Sequence, residues 1–436
     1  MSTQKRGNVK KDSEIERKSP LAGTERSFLD RRMEDLRAGY EAEVQALVDE
    51  WEASAPAVAS LRRKRFRGVR LVTFFGTVIL RCREGVAGDG HWTCPALAHL
   101  GIRANQRYSP DMEKRMAVLA AETGSYEKAS RSADAAAWFA ASDGAVRAAV
   151  TRLGAVAEAS PPKGLCAGAA GPEDTLIVMA DAWNARHRGV NWGRDKKNRT
   201  LPERVHWHEI RSAVIFKLSA LMAVSGKRKA IMDKHIVAVP ADTPPHDFGI
   251  LLHKEVARMG LYKAANVFFV MDGGVWLWRI FEDRFEKCSK AMLDFYHLSQ
   301  HLHALAAALH GADTKKAQEW CRKILHDLKH KSPGRLFRTL DGLLREPPSE
   351  DPATLEAIRV QNGYFRNHAK HMDYAANAAL GVPIGSGPVE SLCSQFQGRL
   401  KRTGQFWTKK GFAALLRVIV RYWNGELDSL WLASAA

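Results

Sequence analysis

From Thr175 to His297 the chain repeats short apolar runs of strand length, separated by turn residues and by stretches of helical periodicity. That alternation limits the fold more than any other feature. An apolar run of four to eight residues bounded by turn signals suits a strand buried on both faces. TLIVMADAW, WHEIRSAVIFKLSALMAV, KHIVAVPAD, ANVFFVMDGG and KCSKAMLDFYH are five such runs, while HDFGILLHKEVARMGLYKA and GVWLWRIFEDRF space their apolar residues as helices do. The order is β-β-β-α-β-α-β. Three consecutive strands predict an antiparallel meander, and the later helical crossovers require parallel strands.

This is the element order of an RNase H-like core, so the expected fold class is α/β. Residues 171–297 would supply its first part. Residues 298–380 read as helical throughout, an all-α insertion, and residues 381–436 would return the last helix of the core, GPVESLCSQFQGRLKR, with a basic tail. ASPPKGLCAGAAGPED, rich in Pro, Gly and Ala, is the clearest linker and sets a boundary near residue 170. Ahead of it, residues 25–160 read as a mainly helical region that binds DNA. Leu29, Met33, Leu36, Tyr40, Val44 and Leu47 recur at helical spacing, a short hairpin is expected around Gly76, and residues 110–153 hold short helices compatible with a helix-turn-helix. Residues 1–24 are polar and basic, and are expected to be a disordered tail.

Charge narrows the partners. Lysine and arginine number 66 against 48 acidic residues, a net charge of +18, which favours polyanions, nucleic acid first and anionic membrane second. No run of about 18 apolar residues could span a bilayer, and the charged start lacks the apolar stretch of a secretory signal. The expected location is therefore cytoplasmic, on the nucleoid when DNA is bound. The six cysteines are scattered without a CxxC pair, unlike a disulfide framework, and Cys82, His91 and Cys94 match no standard zinc spacing.

Three acids fall at telling points of this scheme. Asp181 ends the apolar run of the first strand, and Asp272 ends the fourth, just before Gly273 and Gly274. In an RNase H-like sheet the first and fourth strands are neighbours. Two carboxylates side by side repel, and a divalent cation reverses the penalty. Magnesium prefers carboxylate oxygens, water and phosphate, and two such ions about 4 Å apart can activate an attacking oxygen and stabilise a leaving one on a phosphodiester. Glu390, in VPIGSGPVES at a helix start, is the third ligand in this reading. Each acid alone has a plainer reading, since Asp before Gly-Gly often only forms a turn. The joint placement carries the inference. Beyond Glu390, the run GRLKRTGQFWTKKG offers Arg399, Lys401, Arg402, Lys409 and Lys410 for phosphate and Trp407 for stacking on an unpaired base. Helical spacing sets Gln397 and Lys401 on the face of Glu390, with Arg399 pointing away.

VFFVMDGGVWLW, LDFYHLSQHL and PIGSGPVESLCSQFQGRLKRTGQFWTKKG resemble segments of bacterial insertion-sequence DDE transposases of the Kra group, relatives of the Mutator-type enzymes. The resemblance covers roughly residues 171–432. It implies that Asp181, Asp272 and Glu390 are the metal ligands, for two ions of Mg2+ or Mn2+. It also matches Asp294 and His297 to the family's C/D-x-x-H box, which implies an auxiliary catalytic role for His297. Two departures stand out. The first acid is followed by Ala182 and Trp183 instead of glycine, and the cysteine-rich zinc module of many relatives is reduced to Cys82 and Cys94.

The expected function is that of a DNA transposase. It would cut element ends and join the freed 3′-hydroxyl to target DNA, acting on terminal inverted repeats as a homo-oligomer. The alternatives are a transposase-derived DNA-binding protein that no longer cuts, and an RNase H-like nuclease without strand transfer.

Overall fold

The computed structural model describes residues 20–103, 106–136, 139–193, 203–225 and 228–430. The chain divides into two compact units, Met1–Val150 with Trp431–Ala436, and Thr151–Leu430. Of the tail expected over residues 1–24, the first 19 lie outside the described residues.

In the first unit, helix α1 (Pro20–Ser54) lays Tyr40, Val44, Val48 and Trp51 against a hairpin of β1 (Arg62–Thr73) and β2 (Gly76–Val86). The β2 residues Val78, Leu80 and Cys82 alternate with exposed ones, so one face of the hairpin is core and the other is wet. Gly76 takes φ 118 at the turn, where a side chain would be strained. The short helix α2 (Pro56–Ala59) links α1 to β1, and β3 (Trp92–Thr93) adds a third strand before α3 (Pro95–His99). Helices α4 (Pro110–Thr123) and α5 (Tyr126–Ala136) follow, and the division between the units falls within α6 (Asp143–Ala159), after Val150. Ser109 caps α4 by accepting from the Met112 N–H at 3.4 Å, and Gly124 ends it in the left-handed region. The region expected to be mainly helical thus also carries a three-stranded sheet, and its hairpin is longer than the short one anticipated. Cys82 and Cys94 sit in this apolar core, hydrogen-bonded to each other, while His91 is exposed. The hydrogen bond with Cys94, and burial after it, push the Cys82 thiol up.

The second unit is built on a mixed five-stranded sheet of order β10-β9-β4-β5-β8. The strands are β4 (Thr175–Arg188), β5 (Val205–Lys217), β8 (His235–Ala238), β9 (Asn266–Met271) and β10 (Lys290–Leu293). β4, β5 and β8 run antiparallel in succession, while β9 runs parallel to β4 and β10 parallel to β9. Helices α7 (Pro245–Arg258) and α8 (Val275–Arg284) make the two crossovers. Leu176, Ile177, Val178 and Met179 have no exposed surface, as expected of a central strand covered on both faces.

Two elements depart from the sequence reading. The run WHEIRSAVIFKLSALMAV is not one strand. β5 stops at Lys217, a 3-10 turn follows at Leu218–Ala220, and Leu221–Ser225 forms β6, a separate hairpin with β7 (Arg228–Ile231) in which β6 stays largely exposed. KCSKAMLDFYH is likewise cut at Leu293. Asp294 accepts from the His297 N–H at 2.6 Å and so caps helix α9 (Phe295–His310). The helices α10 (Lys315–His330), α11 (Gly334–Arg345), α12 (Pro352–Asn367) and α13 (Tyr374–Ala379) continue the all-α stretch. α14 (Gly387–Leu400) then packs back on the sheet, and α15 (Lys409–Trp423) follows. No helix among the described residues is long and apolar enough to cross a membrane.

Candidate active site

Asp181 and Asp272 come together through strand register. The last paired row of the parallel β4–β9 ladder joins Met179 to Val270, and each aspartate stands two residues beyond its member of that pair. Side chains alternate along a strand, so a step of two keeps both acids on one face of the sheet. Asp181 Oδ1 accepts from the Ala182 N–H at 2.6 Å. Asp272 Oδ1 accepts from the Gly274 N–H at 2.9 Å, and its carbonyl from the Trp278 indole at 2.7 Å, which fixes the turn between β9 and α8. A side chain at Gly274 would meet Asp272 Oδ1 at 2.9 Å, and one at Gly273 would meet the Tyr364 ring at 2.8 Å. The double glycine lets the turn lie this close to both.

Glu390 stands in the first turn of α14. The Ser386 hydroxyl donates to its Oε1 at 2.9 Å. The loop ahead of the helix is held by Asp294, whose Oδ2 accepts from the Ser386 N–H, and by the Phe295 N–H donating to the Ile384 carbonyl at 2.9 Å. Trp183, two residues past Asp181, stacks on Phe396 of α14 with ring centroids 5.6 Å apart and donates its indole N–H to Ser212 at 3.0 Å. Trp183 thus packs the strand that carries Asp181 against the helix that carries Glu390. Cys393 lies one turn beyond Glu390, and its thiol donates to Asp181.

The charges agree with that geometry. Burial raises the Asp181 carboxyl above its ordinary range, and the anions of Asp272 and Glu390 raise it further, against the Ala182 N–H and the Cys393 thiol. Cys393 is pushed up by burial and by Asp181. The Tyr364 phenol is pushed up by burial and by Asp272 and Asp294. Among the described residues none of the three carboxylates pairs with a lysine or arginine. Hard carboxylate oxygens without a cationic partner fit a divalent ion. The trio is open. Among the described residues, the set of three whose ligand atoms all lie within 4.8 Å of one another is Cys166, His235 and Glu426 instead.

No protein family model matches the chain. No curated protein matches it either. A solved structure, the Drosophila P element transposase strand transfer complex, aligns over 76% of this chain and 80% of that one, at 14% identity and a TM-score of 0.27. A TM-score of that size transfers neither fold nor function to this chain.

The remaining expected site residues divide. His297 lies in the first turn of α9 with its ring edge-on to His301 at 5.4 Å, and His301 stacks on Tyr364 at 3.6 Å. Its link to Asp272 runs through two intervening rings. Trp407 requires a correction. It is only 7% exposed, its indole donates to the Leu400 carbonyl at 2.8 Å, and its backbone pairs with Arg186 and Arg188 of β4, so the ring closes a loop onto the sheet and has no face free for a base. Lys401 also moves. α14 ends at Leu400, and eleven residues of helical rise place Lys401 roughly 16 Å along the axis from Glu390. Its ammonium bonds Gln397 at 3.3 Å and lies 5.0 Å from the Trp207 ring. Arg399 packs over Trp423 at 4.8 Å, and Arg402 Nε donates to the Gly398 carbonyl at 2.5 Å. Lys409 pairs with Asp242 at 2.5 Å, and Lys410 is exposed.

The sequence reading missed a cationic and aromatic layer at the far ends of β4 and β5. Arg186 lies 5.8 Å from the Trp207 ring and 5.1 Å from Phe406, while Arg188 and Arg204 lie 5.4 and 5.7 Å from Trp192. Trp207 is 56% exposed. The signal was present as arginines and tryptophans on both strands, but only the pairing shows that they share one end of the sheet. Ser386 and Cys393 were missed for the same reason.

Proposed function

We propose that this protein is a DNA transposase with an RNase H-like catalytic core, cutting and joining phosphodiester bonds with the help of divalent metal. The strand order, with an antiparallel meander followed by two parallel crossovers, supports the fold reading. The observation that carries the chemistry is that the anions of Asp272, at the end of β9, and Glu390, on a late helix, both act on the half-buried carboxyl of Asp181 on β4. Coulombic coupling of this kind falls off with distance, which supports reading the three as one site.

Asp181, Asp272 and Glu390 would hold Mg2+ or Mn2+, which when bound would neutralise the carboxylates and supply activation of an oxygen nucleophile. The protein's own groups do the positioning. Ser386 orients Glu390, the Cys393 thiol orients Asp181, and the Gly274 N–H orients Asp272. The nucleophile is water for cleavage and a DNA 3′-hydroxyl for joining. Phosphates would be held by Lys401, Arg402 and Lys410, with Trp207 as the exposed ring on which an unpaired base can stack.

Cleavage of the DNA that flanks the coding region tests this directly. Wild-type protein with magnesium should nick at the element ends, and Asp272→Asn should bind the same DNA without nicking. Wild-type rates from Asp272→Asn would sink the assignment, and nicking without joining would identify a nuclease.

A further inference from the structure

Away from the carboxylates, a second constellation occupies the second unit and plays no part in the proposed chemistry. Cys166 is half-buried in the segment after α6, with its Sγ 3.8 Å from Nδ1 of His235. His235 opens β8 and is buried, and its Nε2 lies 2.9 Å from Glu255 Oε2 on α7. A thiol, an imidazole and a carboxylate in series are the parts of an activated cysteine: nucleophile, base, and a group that fixes the base. A cavity of about 340 Å³ opens beside them, lined by Cys166, His235, Lys163, Lys234 and Arg258 among others.

The charges around the imidazole decide its role. Arg258 donates to Glu255 at 2.5 Å and to Glu426 at 2.6 Å, and Arg421 donates to Glu426 at 3.0 Å. Two carboxylates are thus balanced by two guanidiniums. A protonated His235 adds one uncompensated positive charge, and its Nδ1 edge faces the sulfur. Glu255 and the Cys166 sulfur outweigh burial and hold His235 up to about 9. Lys163, Lys234 and Asp233 are the other charged groups lining the cavity, and Asn424 is neutral, clamped on the Ile236 backbone at 2.8 and 2.9 Å.

We propose that Cys166 is a nucleophilic thiol, assisted by His235 and Glu255, that is modified by small electrophiles entering this cavity. In the attack the sulfur's electron pair forms the new bond to carbon, the carbon–leaving-group bond breaks with its pair, and the thiol proton resides on His235. Cys166, His235 and Glu426 also have the donor types of a zinc site. Against that, both Glu426 oxygens are engaged by guanidiniums, and a dication would enter beside Arg258 and Arg421, which are 9% and 6% exposed.

Iodoacetamide supplies the test. Cys82, Cys94, Cys321 and Cys393 are buried, which leaves half-buried Cys288 as the internal comparison in the full chain. At pH 6.5, peptide mapping should find Cys166 alkylated at least about tenfold faster than Cys288, with a rate nearly flat from pH 6 to 8. His235→Gln should slow Cys166 about tenfold and restore the steep rise of an ordinary thiol, while Cys288 is unchanged. If that variant fails to fold, the wild-type profile decides alone. A Cys166 rate equal to that of Cys288, or one rising tenfold per pH unit, overturns the proposal. So does co-purified zinc that shields Cys166 until EDTA removes it.

Discussion

The Asp294 carboxylate reaches in two directions, accepting from the His297 N–H at 2.6 Å to start α9 and from the Ser386 N–H to fix the loop before α14. It is 1% exposed, and Ser386 passes the constraint on to Glu390. A helix cap and a buried charge-assisted bond thus converge on one residue. Asp294→Ala should cost about 2–4 kcal/mol in urea unfolding, the sum of a lost cap and a stranded N–H. Strand cleavage should fall beyond what the lost folded fraction explains, since Glu390 loses its support. Unchanged stability would show that the loop has other anchors.

Metal should stabilise the fold through the three acids. A ligand that binds only the folded state at a hundred times its Kd adds about 2.7 kcal/mol. Saturating Mg2+ should therefore raise the melting temperature of the wild type, and Asp181→Asn, Asp272→Asn and Glu390→Gln should each largely remove the rise. An equal rise in Asp272→Asn would place the binding ions elsewhere.

Two tryptophans should behave oppositely. Trp207→Ala removes an exposed ring and should leave stability within about 0.5 kcal/mol while weakening single-stranded DNA binding by about 1–3 kcal/mol. Trp407→Ala empties a buried site and should cost about 3–5 kcal/mol of stability. Lys401→Ala should lower the salt dependence of binding by about one unit of slope. A stable Trp407→Ala that binds DNA poorly would reverse the two roles.

Acid should destabilise the second unit through His187. This ring is 1% exposed, and burial, with His208 beside it, lowers it from 6.5 to about 4. Between those values the unfolded chain binds the proton that the folded one refuses, so stability is full above pH 6.5 and declines as pH falls toward 4. His187→Phe should flatten that decline in urea titrations at pH 4.5 and 7. A wild-type slope in the variant would assign the effect to other groups, His371 first, which burial also lowers to about 4.

Much of the core was legible because it is local. Apolar runs such as VFFVM and the turn residues Gly273 and Gly274 announce a strand and its end wherever they lie. That β4 and β9 are neighbours, with Asp181 and Asp272 each two residues past a paired row, followed from element order, since parity along a strand is a one-dimensional property. The failures have a common cause. Nothing local distinguishes LSALMAV leaving the sheet from a strand continuing in it, or Trp407 buried from Trp407 exposed, because partner surfaces decide both.

The chain order by itself determined that β strands alternate with helices here, that an acid closes each of two apolar runs and that the chain is strongly basic. Tertiary structure alone decided which groups meet. Cys393 reaches Asp181, Trp183 stacks on Phe396, and Cys166 faces His235, Glu255 and Glu426 only because sheet register and helix docking close loops far longer than any spacing pattern spans. Propensity acts over a few residues, whereas the contacts that set a site's charges are made by packing across the whole unit.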